Sequence, residues 1–152
     1  MILYLDASAL VKRYVAELGS AEVEQAIAQA HTYGTGLISQ VEVVAALARA
    51  VRVNRLTPQA GDAALRGFRV QWRDLIRLQL SDPMITRAAD FAWEYGLRGY
   101  DAVHLAAACV WAEAMGSPVT FATFDRGLWK VAPRVGLRAY PDDLPLLLGR
   151  ES

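Results

Sequence analysis

The stretch MILYLDASALVKRY, residues 1–14, joins an apolar run to a carboxylate and then to a helical repeat. Residues 1–6 predict a short strand that is buried on both faces and ends at Asp6. The following residues, ASALVKRYVAE (7–17), place Leu10, Val11 and Tyr14 on one side of a helix. We therefore predict a strand that runs directly into a helix, which is the building unit of parallel sheets.

The rest of the chain alternates strands and helices in the same way. Further strands are predicted in TGLIS (35–39), LIRLQL (75–80), VTFATF (119–124) and GLRAY (136–140). Helices are predicted in GSAEVEQAIAQAH (19–31), SQVEVVAALARAVR (39–52), residues 57–74, SDPMITRAADFAWEYG (81–96), residues 101–115 and a short segment from Asp125. Short apolar strands separated by helices predict an α/β three-layer sandwich, with a central, mostly parallel sheet flanked by helices, as a single domain over residues 1–152.

Composition restricts the class of protein. The single cysteine, Cys109, excludes an intramolecular disulfide and fits a reducing, cytoplasmic compartment. No apolar run reaches membrane-spanning length, and the chain enters its first strand at Ile2 without a basic region typical of a signal peptide. We therefore expect a soluble protein with no membrane partner.

Four acidic residues stand where strands end or helices begin. Asp6 follows the first strand, Glu42 lies in the first turn after the second, and Asp125 follows VTFATF. Asp101 begins the helix of LRGYDAVHLAAACVW (97–111) and can reach the same edge. Because ligands of open parallel sheets bind outside the carboxyl ends of the strands, we expect chemistry at this edge.

Each of these acids also has a structural interpretation. Asp101, Asp6 and Asp125 can each be the N-cap of the helix that follows. Glu42 stands three residues after Ser39, the spacing of a capping box. Taken one at a time, these residues favour helix capping over catalysis.

Taken together, the four carboxylates favour a metal site. Carboxylates that converge on one edge repel one another and raise their own pKa values unless a cation lies among them. Mg²⁺ and Mn²⁺ prefer oxygen ligands of this kind. An acidic cluster without a nucleophilic triad suits metal-assisted hydrolysis, for example of a phosphodiester.

The segments YLDASALVKRY, ISQVEVVAALARA, LRGYDAVHLAAA and TFATFDRGLWKVA resemble, in this order, the four signature blocks of PIN-domain ribonucleases, and most of all the VapC-type toxins of toxin–antitoxin pairs. The resemblance implies a PIN-like fold and an endoribonuclease that depends on Mg²⁺ or Mn²⁺. It implies that Asp6, Glu42, Asp101 and Asp125 are the catalytic, metal-binding acids. Ser8 and Thr123 match the small hydroxyl positions that this family uses beside the acids.

The resemblance also implies a mechanism and partners. Asp6 and Asp101 would bind the ion directly, while Glu42 and Asp125 would bind through water or hold a second ion. Water activated by the ion would attack the phosphorus of single-stranded or looped RNA, leaving a 5′-phosphate and a 3′-hydroxyl. The expected partners are the RNA substrate, an antitoxin protein and a second copy of the chain in a homodimer.

Basic residues are concentrated in one segment of a chain whose formal net charge is zero. Residues 49–77 contain seven arginines against two aspartates. We predict an RNA- or antitoxin-binding surface, because guanidinium groups match phosphate and carboxylate oxygens; the alternative is a solvated helix face. The arginines proposed for it are Arg49, Arg52, Arg66, Arg69 and Arg73.

Two further alternatives stay open. His104 lies one helical turn after Asp101 and is either a hydrogen-bonded structural residue, which we favour, or a contact beside the acids. A non-catalytic RNA-binding or scaffold module on the same fold is the competing function, although a polyanion binder gains nothing from clustered negative charge. An aspartyl-phosphate phosphatase is disfavoured, because Asp6-Ala7-Ser8 lacks a second aspartate.

Overall fold

The computed structural model describes residues 1–151 and has one five-stranded sheet with helices on both faces. Its strands are β1 (Ile2–Leu5), β2 (Thr32–Gly36), β3 (Ile76–Leu78), β4 (Val119–Ala122) and β5 (Arg138–Tyr140). Its α-helices are α1 (Ala7–Leu10), α2 (Ser20–Gln29), α3 (Ser39–Arg52), α4 (Pro58–Trp72), α5 (Asp82–Tyr95), α6 (Gly99–Met115), α7 (Arg126–Val131) and α8 (Leu144–Leu148). Short 3₁₀ segments span Val11–Arg13, Ala132–Val135 and Gly149–Glu151.

The sheet has the strand order β3-β2-β1-β4-β5, and every neighbouring pair is parallel. The chain moves outward from β1 through β2 to β3, and then returns to place β4 on the other side of β1. Such a reversal leaves a crevice between β1 and β4 at the carboxyl edge of the sheet. The residues that follow β1 and β4 therefore meet there.

The sheet separates two hydrophobic cores, and β1 contributes to both. Tyr4 packs with Phe121 and with the apolar residues of α5, α6 and α7 on one face. Leu3 and Leu5 pack with α1, α2, α3 and α4 on the other face. This alternation follows from the two-residue period of a strand. The predicted three-layer α/β architecture is confirmed, and its sheet is parallel throughout.

The helix α6 is the most buried of these helices and carries Asp101 near its start. Its buried residues include Ala102, Ala106, Ala107 and Ala108, whose small side chains permit close packing against α5 and the sheet. The helix ends at Gly116, which adopts a left-handed conformation at φ 60°. This packing fixes the N-terminal turn of α6 at the crevice.

Two predicted elements differ from the structure. The helix predicted over residues 7–17 is only the short α1 followed by a 3₁₀ turn, because Val15 turns inward and is buried in the second core. The strand predicted at 35–39 lies earlier, at Thr32–Gly36, where a Cβ on Gly34 would approach the Ile76 carbonyl oxygen to 2.6 Å. Close strand packing thus requires a glycine that strand propensity disfavours.

Residue 152, the last residue of the predicted domain, lies outside the described residues. Over residues 1–151, every helix is too short or too polar to cross a membrane.

Candidate active site

The four predicted carboxylates line one cavity at the carboxyl edge of the sheet. The cavity has a volume of about 260 Å³. Asp6 follows β1 and Asp125 follows β4, while Glu42 and Asp101 project from the first turns of α3 and α6. The cavity is lined by Asp6, Ala7, Ser8, Glu42, Arg98, Asp101, His104, Phe124 and Asp125.

Asp6 is the most buried of the four acids, with 3% of its surface exposed. Its Oδ1 accepts hydrogen bonds from the Ala9 N–H (2.9 Å) and the Ser8 hydroxyl (2.6 Å), and its Oδ2 accepts from the Thr123 hydroxyl (2.6 Å). Burial raises the pKa of Asp6 above its ordinary value, although the charge of His104 and these hydrogen bonds oppose the rise. The carboxylate is held rigidly where added positive charge would stabilise its ionised form.

The hydroxyls of Ser8 and Thr123 join Asp6 to the loop after β4. Ser8 Oγ accepts a hydrogen bond from the Phe124 N–H (2.9 Å), and Thr123 Oγ1 accepts from the Asp125 N–H (3.1 Å). Both side chains thus lie beside the acids, where the resemblance had placed them. Their contacts fix the distance between the ends of β1 and β4.

Asp101 and Asp125 share the guanidinium group of Arg98. Arg98 Nε donates to Asp101 Oδ2 at 3.0 Å, and Nη2 donates to Asp125 Oδ2 at 2.9 Å. Burial raises the pKa of Asp101, and the hydrogen bond from Arg98 opposes this effect. Sequence reasoning missed Arg98; its position three residues before Asp101 was the available signal.

The predicted capping roles hold for two acids and fail for the other two. Asp125 Oδ1 caps α7 by accepting from the Leu128 N–H at 2.8 Å, and Asp6 caps α1. Asp101 is not an N-cap, because α6 begins at Gly99 and Asp101 already lies inside the first turn, paired with Arg98.

The capping box predicted for Ser39 and Glu42 is also absent. Ser39 is fully buried, and its hydroxyl lies 2.7 Å from that of Thr35. Glu42 instead accepts a hydrogen bond from His104. For Glu42, a tertiary partner has replaced the local one that the spacing suggested.

His104 is buried and connects three elements. Its Nε2 donates to Glu42 Oε1 at 2.6 Å, and its Nδ1 lies 2.7 Å from the Tyr4 hydroxyl. Both ring nitrogens therefore have partners, and only 1% of the residue is exposed. The imidazole fixes the orientation of Glu42 relative to β1 and α6.

The donor chemistry of the site fits a hard divalent cation. All four acids carry oxygen atoms of the kind that such cations prefer, and the positive charge of Arg98 already lies between two of them. Among the side chains of residues 1–150, no three His, Cys, Asp or Glu groups lie closely enough together to coordinate a metal as they stand. Arg98 draws Asp101 and Asp125 toward itself, so a cation would have to take its place.

A thiol mechanism has no support at this site. Cys109 is buried in α6, and burial raises the pKa of its thiol to about 11. The thiol therefore stays protonated at neutral pH and is a poor nucleophile.

The predicted basic surface lies elsewhere on the molecule. Its arginines project from α3, α4 and the residue after α4; all are exposed, and none lines the carboxylate cavity of the described chain. They are Arg49, Arg52, Arg66, Arg69 and Arg73. The arginine that the fold brings to the acids is Arg98 instead.

Comparison with known proteins finds one matching family model and relatives that match along nearly the whole chain. Residues 3–133 match the family model of the PIN domain. The ribonuclease VapC45 of Mycobacterium tuberculosis (strain CDC 1551 / Oshkosh) is 33% identical over 144 residues, covering 94% of this chain and 97% of the relative. The ribonuclease VapC49 of M. tuberculosis (strain ATCC 25618 / H37Rv) matches with the same identity and coverage.

Solved structures share the fold. PAE2754 from Pyrobaculum aerophilum superposes with a TM-score of 0.62 at 23% identity, covering 98% of this chain and 96% of that one. VapBC2 from Rickettsia felis, crystallised with a DNA fragment from its promoter, gives a TM-score of 0.60 at 14% identity, covering 92% and 99%. At these identities the likeness concerns the fold alone.

Proposed function

Because this chain belongs to the PIN-domain family, we propose that it is a metal-dependent endoribonuclease that hydrolyses RNA phosphodiester bonds as the toxin of a toxin–antitoxin pair. The observation that carries this proposal is the convergence of Asp6, Glu42, Asp101 and Asp125 on one cavity. Two relatives that match nearly the whole chain are named ribonucleases, which supports the same activity.

The roles proposed for the four acids are those that the resemblance to the PIN-domain family implies. Asp6 and Asp101 would hold the cation directly, and Glu42 and Asp125 would bind it through water or hold a second ion. A bound divalent cation lowers the pKa of water and neutralises charge that develops on the phosphodiester. Ser8 and Thr123 keep Asp6 oriented, and His104 keeps Glu42 oriented. These contacts leave Asp6 and Glu42 little freedom to reorganise during the reaction.

Mg²⁺ or Mn²⁺ is the proposed ion, because both accept oxygen ligands and tolerate the water ligands that an open site retains. A reducing cytoplasm is the proposed compartment, since the one cysteine is a buried free thiol. We also propose an antitoxin partner and a homodimer, in keeping with the family to which the chain belongs.

Cleavage of RNA by the purified chain tests this function. We expect cleavage with Mg²⁺ or Mn²⁺ and none with EDTA. Asp101→Asn should lose nearly all activity while remaining folded, because it keeps the size of the side chain and removes its charge. Asp90→Asn, on the exposed surface of α5, is the matched control and should retain full activity.

Two results would contradict the proposal. Cleavage that persists equally in EDTA would exclude a metal mechanism. Binding of RNA without any cleavage, by folded protein supplied with either ion, would favour the non-catalytic module considered above.

A further inference from the structure

A second cavity adjoins the carboxylates. It has a volume of about 390 Å³ and shares Glu42, Arg98 and Asp101 with the carboxylate cavity, while Gly99 and Tyr100 complete its lining. Sites for small ligands span roughly 300–1,000 Å³, so this cavity is large enough for part of a substrate. Any ligand there would lie directly beside the carboxylates.

Tyr100 supplies an aromatic wall to this cavity. The residue is 60% exposed, although it is large and mostly apolar. It also lines an adjoining apolar groove of about 290 Å³ between α5 and α6, together with Ile85 and Val103. Exposed aromatic rings beside nucleic-acid sites serve as platforms on which unpaired bases stack.

Arg98 supplies positive charge to the same cavity. Its side chain is 78% exposed, and the two carboxylates occupy its Nε and Nη2. A guanidinium group has five N–H donors in a planar fork, which suits the oxygens of a phosphate. A hydrogen-bond donor for phosphate, Arg98, and an aromatic ring, Tyr100, are therefore separated by a single residue.

Gly99, the residue between them, keeps the cavity open. A Cβ at this position would meet no atom within 4 Å, and the backbone there does not require glycine. Alanine would favour the helix more than glycine does at this position. The fold itself therefore gives no reason for the missing side chain, whereas a ligand that fills this space does.

We propose that the cavity lined by Glu42, Arg98, Gly99, Tyr100 and Asp101 is a subsite for an unpaired nucleotide next to the cleaved bond. The base of this nucleotide stacks on the ring of Tyr100, and Arg98 binds its phosphate. The inference rests on the proposed ribonuclease function and narrows its substrate to RNA with an unpaired base at this point.

Equilibrium binding of a fluorescein-labelled single-stranded RNA tests the subsite apart from catalysis. It is measured by anisotropy in an Asp6→Asn background, which blocks cleavage and leaves the cavity lining intact. Tyr100→Leu should weaken binding about 5- to 150-fold, the effect of losing one stacked base. Tyr100→Phe keeps the ring and should bind like the parent protein. Trp93→Leu removes an aromatic residue that is 93% exposed and does not line the cavity, so it should also bind normally.

Two further arms separate stacking from other effects. Gly99→Val should weaken RNA binding without lowering the Tm, because the added Cβ enters the cavity, where no atom lies within 4 Å of it apart from its chain neighbours and the backbone of its own helix. An RNA whose nucleotides are abasic should bind equally to the parent protein and to Tyr100→Leu.

The outcomes distinguish this inference from the proposed function. If the unmodified chain does not cleave RNA but Tyr100→Leu weakens binding, the ribonuclease proposal fails and the subsite remains. If Tyr100→Leu binds RNA like Trp93→Leu, the subsite is wrong. A Tyr100→Leu variant that changes the oligomeric state, seen by light scattering, with unchanged RNA affinity would make Tyr100 a subunit contact and overturn the inference.

Discussion

Asp6 lies where a cation would bind, but its burial is unfavourable for its negative charge when no cation is present. It is an N-cap with three hydrogen bonds, yet burial still raises its pKa above the ordinary 3.8. A residue that is stabilised in its protonated form within the native state loses that stabilisation as the pH rises through the native pKa. At neutral pH the ionised carboxylate of Asp6 therefore destabilises the metal-free protein.

Asp6→Asn should stabilise the metal-free protein by an amount that depends on pH. In EDTA at pH 7 the variant should have a larger free energy of unfolding than the unmodified chain, because asparagine carries no charge into the crevice. The difference should shrink as the pH is lowered through the raised pKa of Asp6 toward its ordinary value, because the carboxyl takes up a proton. Urea unfolding of both proteins at pH 7 and at pH 4 measures the effect. A difference that is the same at both pH values, or a less stable variant at pH 7, would contradict it.

At the scale of elements, the sequence predicted α3 with its bounds of 39–52. It also predicted that a strand, β4, lies before Asp125 and that a short helix, α7, follows it. It also predicted which strand ends carry the acids. Two interpretations based on the spacing of neighbouring residues were wrong: the N-cap at Asp101 and the capping box at Ser39. The partner of Glu42 is His104, and this contact depends on how α3 and α6 pack onto the sheet, which spacing within one helix does not reveal. The partner of Asp101, Arg98, lies only three residues away, so the sequence did contain a signal for it.

Arg98 and Tyr100, at the start of α6, show the limit of sequence-based prediction most clearly. Both lie in the segment LRGYDAVH (97–104), in which only the aspartate and the histidine indicated chemistry. Only the packing of α6 against α5 and the sheet shows that Arg98 reaches Asp125, which is 27 residues away along the chain.

The buried alanines of α6 allow a prediction about the packing of this helix. Ala106 is fully buried in the core, so Ala106→Leu should lower the free energy of unfolding by about 1–3 kcal/mol through overpacking. Ala114→Leu, at an exposed position of the same helix, should change stability by less than about 0.5 kcal/mol. Urea unfolding of both variants tests this, and equal losses would show that α6 tolerates larger residues in its packed face.

At the scale of the whole molecule, the return of the chain from β3 to β4 creates the site. Asp6 and Asp125 are far apart in sequence and come together only because β1 and β4 are parallel neighbours. The same topology places the arginines of α3 and α4 outside the carboxylate cavity, where they are free to bind the RNA backbone at a distance from the cleaved bond.

Salt dependence tests this second surface. Replacing Arg66, Arg69 and Arg73 together with glutamine should weaken binding of single-stranded RNA and reduce the slope of log K against log salt by about 2, if each contacts one phosphate. The matched triple lysine variant keeps the charge and should keep the slope. An unchanged slope in the glutamine variant would show that these arginines do not bind RNA phosphates, so that they contact the antitoxin or only solvent.

We expect the four carboxylates to hold a divalent cation in the place that Arg98 now occupies, with Asp6 and Asp101 as its direct ligands. An anomalous difference map from crystals of the protein soaked in MnCl₂ tests this. A manganese peak should lie next to Asp6 and Asp101 in the carboxylate cavity, with Arg98 withdrawn from at least one of its two carboxylates. No peak in this cavity, or manganese bound elsewhere while Arg98 keeps both hydrogen bonds, would contradict it.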